Sequence, residues 1–336
     1  MYKILSSELD SILEGTSRSF YLSLKQLPSK IRTQISLLYL LARTSDTIAD
    51  SEHGSTEFLT SSLDHFEDFV LGSSTEVPNL SNLAELQSNP FEGELLENVE
   101  EVKSFIGKLT QSDQNHLRKC LEIIIGGQKL DLLRFSSEEE ISCILSTEQL
   151  DDYTFRVAGS VGEFWTHISL NHLFKAEKEE EKILLEKGIR FGKALQMINI
   201  LRDIPSDLRN GRCYIPLDML SSHGLNQYDL MNPENMSRFN PIFNQLMDVT
   251  ESHLDEATQY IDLLPHRQFR LRGSCMLPIV IGRQTLTMLG EGNVLESTNR
   301  IKISRSDIEQ AVRSVVLAVP FQNKSRRLIE NDKSGN

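Results

Sequence analysis

Four aspartates of this chain are spaced to do chemistry together. Asp46 and Asp50 stand four residues apart, and so do Asp203 and Asp207. On a helix that spacing puts both carboxylates of a pair on one face. Tyr39 and Arg43 extend the first face upstream; Gln196 and Asn199 extend the second, with Arg202 beside them. Each polar stripe follows an apolar run, ISLLYLLA before the first and ALQMINIL before the second. A single acid pair on a surface helix is common and means little. These two pairs differ in their setting, because like charges on a half-buried helix repel and are costly to desolvate. A cation between the two helices would remove that cost. Hard carboxylate and amide oxygens suit Mg²⁺, which keeps several waters and shares its sphere with a substrate phosphate. The ligand expected from these residues is a diphosphate.

The nearby residues admit two readings each. Arg43 and Arg202 can grip phosphate oxygens with a bidentate fork, or pair structurally with Asp46 and Asp203. Ser17, Arg18 and Ser19 form a cluster ahead of an apolar stretch. Hydroxyls and backbone N–H groups at a helix start would hold a phosphate there, although an ordinary N-cap accounts for Ser17 equally well. Small residues recur at Gly126-Gly127 and at Ala158-Gly159 with Gly162. Glycine inside a helix costs about 1 kcal/mol against alanine. Close helix packing is one reason to keep it; room for a long apolar chain along the helix wall is the other.

Stripes of this kind need helices, and the periodicity is helical nearly everywhere. Ile31, Ile35, Leu38, Leu41 and Ala42 recur at spacings of three and four, which marks a helix with a buried face over 31–50. Residues 117–135 and 178–204 repeat the pattern. Alternating strand-like runs are few, and no Asn-Gly hairpin signal occurs. The expectation is an all-α protein of about ten or more helices. A loop or poorly ordered insertion is expected over 72–98, and a long connection over 216–240. Ser136 and Ser137 with the acids after them resemble an N-cap and first helical turn. The run EKEEEK at 177–182 is expected to be a solvated helix face. Nothing in the composition requires a second domain. One domain over 1–320 and a charged, flexible tail over 321–336 are expected.

The charge balance narrows the partners. Lys and Arg number 35 and Asp and Glu 48 in 336 residues, a net charge of −13, which argues against nucleic acid. A metal would still allow an anionic substrate. Hydrophobic residues at 39% and charged residues at 25% suit a globule with a core. The four cysteines are far apart and form no CxxC, so a disulfide framework or zinc site is not expected and a reducing compartment is. No apolar run approaches the roughly 20 residues of a membrane span, and the start lacks a signal-peptide pattern. A cytoplasmic protein, at most loosely membrane-associated, is expected.

Together these residues resemble the squalene/phytoene synthase family of prenyl-joining enzymes. Ser17-Arg18-Ser19-Phe20 is similar to the family's substrate-flap motif. Tyr39-x-x-x-Arg43-x-x-Asp46-x-x-x-Asp50 resembles its first aspartate motif. Tyr153, Val157, Ala158, Gly159, Val161 and Gly162 resemble its YxxxVAGxVG segment. Gln196-x-x-Asn199-x-x-Arg202-Asp203-x-x-x-Asp207, continuing to Gly211-Arg212-x-Tyr214-x-Pro216, resembles its second aspartate motif. Two departures stand out. Ser206 replaces a common acid, and Pro205, which cannot donate to the Leu201 carbonyl, should kink the helix and re-aim Asp207.

The resemblance implies an all-α, single-domain isoprenoid synthase fold, a helical bundle around a central active-site cavity between two facing aspartate motifs. It implies a prenyltransferase that joins two farnesyl diphosphates head to head, through presqualene diphosphate, to squalene. Mg²⁺ ions would be held by Asp46, Asp50, Asn199, Asp203 and Asp207. The diphosphate would be bound by Ser17, Arg18, Ser19, Tyr39, Arg43, Gln196, Arg202, Arg212 and Tyr214. Tyr153 joins the four aspartates as a catalytic residue. Phe20, Tyr39, Tyr153 and Phe164 could stabilise cations while excluding water, or serve as plain core. NADPH would supply hydride for squalene; without it, proton loss gives dehydrosqualene, or phytoene from geranylgeranyl diphosphate. Residues 270–289 are more similar to squalene-forming members, and no GxGxxG marks a nicotinamide site. The tail RRLIENDKSGN carries no anchor, so a soluble, bacterial-type squalene synthase is expected, with peripheral membrane contact to release an apolar product. A non-catalytic scaffold member is the remaining alternative; it should have lost metal ligands, which this chain retains.

Overall fold

Apolar residues at helical spacing fold as helices almost throughout a computed structural model of the protein, in which residues 5–17, 20–51, 54–137, 140–298 and 301–330 are described. These residues divide into two compact units, one drawn from 1–133 and 164–175, the other from 134–163 and 176–336.

The first unit contains α1 (Ser7–Ser17), α2 (Phe20–Gln26), α3 (Ser29–Ala49), α4 (Thr56–Leu71), α5 (Ser81–Glu85), α6 (Pro90–Glu97), α7 (Val99–Ser104) and nearly all of α8 (Gln111–Arg134). Pro28 immediately precedes α3, where its fixed φ and missing N–H cost nothing. Thirteen residues of α3 are buried, on more than the one face its periodicity marks. Each fully buried Leu or Ile contributes roughly 1.5–3 kcal/mol. Residues 72–98 are more ordered than expected from their Pro and Asn content, because α5 and α6 form there. Asn89 caps α6 by accepting from the Phe91 N–H at 3.2 Å, and Pro90 occupies its first turn. Phe91 then packs so closely on α1 that a Cβ on Gly15 would lie 2.1 Å from its ring.

The second unit contains α9 (Thr147–Thr154), the first turn of α10 (Ser160–His172), α11 (Lys178–Arg209), α12 (Leu217–Ser222), α13 (Met236–Leu263), α14 (Phe269–Glu291), α15 (Arg305–Ala318) and α16 (Gln322–Glu330). A π-helical turn, Phe155–Gly159, joins α9 to α10. α13 packs along α11. The connection over 216–240 contains α12 and two short 3₁₀ turns before α13 begins. Ser136, Ser137 and Glu140 are not helical, contrary to the capping expectation. Instead the chain extends into β1 (Ser142–Cys143), which pairs in parallel with β2 (Arg212–Cys213). The Ser142 N–H donates to the Gly211 carbonyl at 2.9 Å, so tertiary pairing overrides the local signal. α11 continues through Pro205 to Arg209, where Gly211 takes φ +73° to turn the chain into β2. None of the four cysteines forms a disulfide, although Cys143 and Cys213 are partners across the two strands. Among the described residues, no helix is long and apolar enough to cross a membrane.

Candidate active site

The open face of α3 is its polar stripe. From Ile35 to Asp50 only Tyr39, Ala42, Arg43, Asp46 and Asp50 escape full burial. Tyr39, Arg43, Asp46 and Asp50 follow one another at spacings of three and four along one side of the helix, with Ala42 beside them. This side borders an open cleft of about 630 Å³ whose lining includes Arg43, Asp46, Asp50, Gln87, Ser88 and Glu92.

The cleft is electrostatically unbalanced. Burial pushes the Asp46 carboxyl up to about 7, and the Asp50 charge adds to the rise. Arg43 and Gln128 pull in the opposite direction without cancelling it. The Gln128 Nε2 donates to Asp46 Oδ1. The other end of that amide, Oε1, is buried with no hydrogen-bond partner, in a residue only 6% exposed. A buried acceptor left unpaired costs free energy that a cation or its water would relieve. Arg43 Nη2 donates to Glu92 Oε1 at 2.5 Å, so its partner is not the Asp46 expected for a structural pair. Asn89 Nδ2 also donates to Glu92 Oε1, at 3.1 Å. The Tyr39 hydroxyl donates to the Thr16 carbonyl at 2.9 Å, and burial pushes this phenol up to about 12. Its ring lies 5.5 Å from that of Phe20.

In the second unit, Gln196, Asn199, Arg202, Asp203, Ser206 and Asp207 are partly open on α11, while Met197, Ile198, Ile200, Leu201 and Ile204 are buried. Arg202 grips Asp203 with both prongs of its fork, at 3.1 and 2.5 Å. Gln196 Nε2 approaches the Tyr153 hydroxyl at 3.5 Å. The Tyr153 ring stacks on Tyr214 at 4.7 Å, and Phe135 meets Tyr214 edge-on at 5.1 Å. Asp207, Arg212 and Tyr214 line a small cavity of about 180 Å³. Arg202 and Ser206 border a different one, of about 340 Å³. Asp207 therefore lines a cavity that Asp203 does not.

Some expected roles change. Ser17 closes α1 instead of opening a helix, and its hydroxyl donates to the Leu13 carbonyl at 2.5 Å. Arg18 and Ser19 lie outside the described residues. The small residues around Ala158 serve close packing. A Cβ on Gly162 would lie 1.9 Å from the Gly188 carbonyl oxygen, and one on Gly192 2.0 Å from that of Ala158. Phe164 is 2% exposed and belongs to the core. Arg272, in the squalene-like segment, is buried and caps the end of α13, donating to Ile261 O at 2.5 Å and Leu264 O at 3.1 Å. Glu92 and Gln128 were not found from spacing. The Asn89-Pro90-x-Glu92 helix start was a usable signal for the first; Gln128 carries none.

The donor set of the first unit fits Mg²⁺, since two carboxylates share a face and an unpaired amide oxygen lies beside them. Among the described residues, no three His, Cys, Asp or Glu side chains are grouped to hold a metal, and Mg²⁺ needs only one or two carboxylates with waters and substrate phosphates.

Residues 13–307 match the family model for squalene/phytoene synthase. The bifunctional lycopene cyclase/phytoene synthase of Blakeslea trispora is 27% identical over 308 residues, which cover 87% of this chain and 47% of that protein. The squalene synthase of Homo sapiens is 26% identical over 289 residues, covering 84% of this chain and 64% of that one. The chain thus spans about half the length of the bifunctional relatives it matches. A solved structure of TcSQS with the ligand E5700 matches with a TM-score of 0.77 at 19% identity, over 98% of this chain and 93% of that one. That likeness shows the fold, the all-α isoprenoid synthase fold expected from the sequence. With the family model matched over most of its length, the chain belongs to the squalene/phytoene synthase family.

Proposed function

We propose that the protein is a Mg²⁺-dependent prenyltransferase that joins two farnesyl diphosphates head to head and, with NADPH as the reductant, releases squalene. One observation carries this reading: from Ile35 onward α3 is open only along a stripe bearing Arg43, Asp46 and Asp50, where a half-buried carboxyl is held near 7 beside an unpaired amide oxygen. Such a face calls for a cation and an anionic ligand. Asp46 and Asp50 would hold metal in the first unit; Asn199, Asp203 and Asp207 would do so in the second. Bound Mg²⁺ supplies neutralisation of the diphosphate charge as the leaving group departs.

The chain's own residues do the remainder. Arg43 and Arg202 lie beside the acids, with guanidinium forks suited to phosphate oxygens. The allylic C–O bond of one substrate breaks, and its electron pair leaves with diphosphate. The double bond of the second substrate attacks the allyl cation, and loss of a proton closes the cyclopropane of presqualene diphosphate. A second ionisation, in which the remaining diphosphate leaves with its electron pair, rearranges that ring; NADPH, when bound, would supply the hydride for the final cation. The aromatic cluster of Tyr153, Tyr214 and Phe135 presents ring faces that suit a cation and exclude water.

Dehydrosqualene or phytoene is the second reading. It is favoured by the bifunctional lycopene cyclase/phytoene synthase of Blakeslea trispora among the relatives. Gas chromatography of the hexane extract, after incubation with farnesyl or geranylgeranyl diphosphate and with or without NADPH, separates the two. Squalene formed only with NADPH is expected. A conjugated triene that persists at saturating NADPH overturns the squalene assignment.

A further inference from the structure

Folding of the second unit brings two of the four cysteines together, and the chemistry above uses neither. β1 and β2 run in parallel with Cys143 directly opposite Cys213. The ladder around them is held by the Ser142 N–H on the Gly211 carbonyl at 2.9 Å and the Ile144 N–H on the Cys213 carbonyl at 3.0 Å. Neighbours in register on a ladder project their side chains to the same face. Both thiols accordingly reach one acceptor. Cys143 Sγ donates to the Ile215 carbonyl at 3.1 Å, and Cys213 Sγ approaches the same oxygen at 3.6 Å. The other two cysteines, Cys120 and Cys275, are buried on α8 and α14.

Paired strands lie about 4.8 Å apart, and a disulfide spans Cα atoms about 4.4–6.8 Å apart. The two backbones therefore already stand at bridging distance. Access to the two sulfurs differs. Cys213 is 2% exposed, whereas Cys143 is half-buried. Contact with the Cys143 thiol first, and burial second, raise the Cys213 thiol well above its ordinary value. Attack on an external oxidant thus begins at Cys143, and Cys213 is the resolving thiol.

We propose that Cys143 and Cys213 form a reversible redox site, closed into a disulfide by low-molecular-weight disulfides of the glutathione class. The Cys143 thiolate attacks one sulfur of the oxidant, whose S–S bond breaks and releases a first thiol. The Cys213 thiolate then attacks the Cys143 sulfur, and the second thiol leaves. The two protein thiols give up two electrons and two protons, and the oxidant becomes two thiols. The Cβ atoms of a disulfide lie about 3.8 Å apart, closer than the strand spacing of about 4.8 Å, so the bond draws β2 toward β1. It also strips the Ile215 carbonyl of both S–H donors. Between Cys213 and Ile215 lies Tyr214, whose ring stacks on Tyr153 at 4.7 Å, and Cys213 lines the same small cavity as Asp207 and Arg212. Oxidation therefore disturbs that stack and that cavity, and reduction restores them. The bond itself is independent of the reaction; only its effect on turnover rests on the proposed function.

Treatment of the full chain with oxidised glutathione, followed by a peptide map without reductant, tests the proposal. The thiols titrated after unfolding should fall from four to two, and a linked pair of peptides should contain Cys143 and Cys213. Dithiothreitol should reverse both changes. The near-ultraviolet circular dichroism should shift on oxidation, because Tyr214 moves against Tyr153. Under the same treatment Cys143→Ser should keep its three thiols and an unchanged spectrum. Diphosphate release by the oxidised parent should fall at least about tenfold, the scale of a small misplacement in a site, and return with dithiothreitol. Four thiols after oxidation, a glutathione adduct left on Cys143, or links that involve Cys120 or Cys275 would overturn the proposal. So would a spectrum that shifts equally in Cys143→Ser, or unchanged release from fully linked protein. An enzyme inactive before oxidation would count against the proposed function, while the peptide map would still decide the bond.

Discussion

Replacing Asp46 by asparagine should stabilise the metal-free protein at alkaline pH while removing its turnover. The ordinary carboxyl value of 3.8 rises to about 7 at Asp46, through burial first and the Asp50 charge second. At 1.36 kcal/mol per unit, a rise of about three units corresponds to roughly 4 kcal/mol. Partial exposure and solvent screening reduce this to about 2 kcal/mol. The sign follows from linkage. A carboxyl whose folded value is raised favours folding below pH 3.8 and loses that contribution as the pH climbs through 7. At pH 8 the native state therefore carries the full penalty, and asparagine, which has no charge, does not. For a chain of 336 residues the unfolding entropy is about 0.7 kcal/mol/K, so the gain should be about 3 °C in Tm. Thermal unfolding in EDTA at pH 8 and pH 5 is the assay. The variant should melt higher at pH 8, and the gap should shrink to about a third at pH 5. Adding Mg²⁺ with inorganic diphosphate should raise the parent's Tm but not the variant's. A variant that melts below the parent at pH 8, or a gap independent of pH, would refute the electrostatic reasoning. Retained turnover would refute the assigned role.

Three further expectations concern the second unit. His253 is buried, and burial, followed by Arg190 and Lys193, lowers its pKa to about 4. Its contribution is present above pH 6.5 and lost as the pH falls through 4, about 3 kcal/mol in all; urea titrations should show that slope flattened in His253→Gln, and an identical slope would contradict it. Gly162→Ala should cost at least about 1–3 kcal/mol by overpacking against the Gly188 carbonyl, which the added Cβ would meet at 1.9 Å; a Tm within about a degree of the parent would show that the helices part easily. Arg202→Lys loses the two-pronged geometry seen on Asp203. If that fork also grips diphosphate, steady-state kinetics should fall at least about tenfold with little change in Tm, whereas near-normal kinetics would leave it a structural partner only.

The parts legible in the sequence were those written in local spacing. Asp46 and Asp50 could be placed on one open helix face because the residues between them are ones that bury, and the same held for Gln196 through Asp207. The contacts that tune those stripes were hidden, because they join residues far apart in the chain. Glu92 reaches Arg43 across 49 positions and Gln128 reaches Asp46 across 82, and no periodicity encodes either. Ser136 and Ser137 misled because a local capping pattern yielded to the pairing of Ser142 with Arg212. The glycines at 159 and 162 were ambiguous for a related reason. Only the backbone of α11 opposite them shows that close packing is what they serve. The cysteines were far apart in sequence, yet Cys143 and Cys213 meet across β1 and β2.

The most direct test of the central claim is the release of diphosphate from farnesyl diphosphate, followed continuously with the full chain. Release should require Mg²⁺, stop in excess EDTA and return when Mg²⁺ is restored. Asp46→Asn and Asp203→Asn should each lower the rate at least about a hundredfold, the scale of losing one main electrostatic stabiliser of the leaving group. Full activity in excess EDTA, or no release from either farnesyl or geranylgeranyl diphosphate with Mg²⁺ present, would contradict the account.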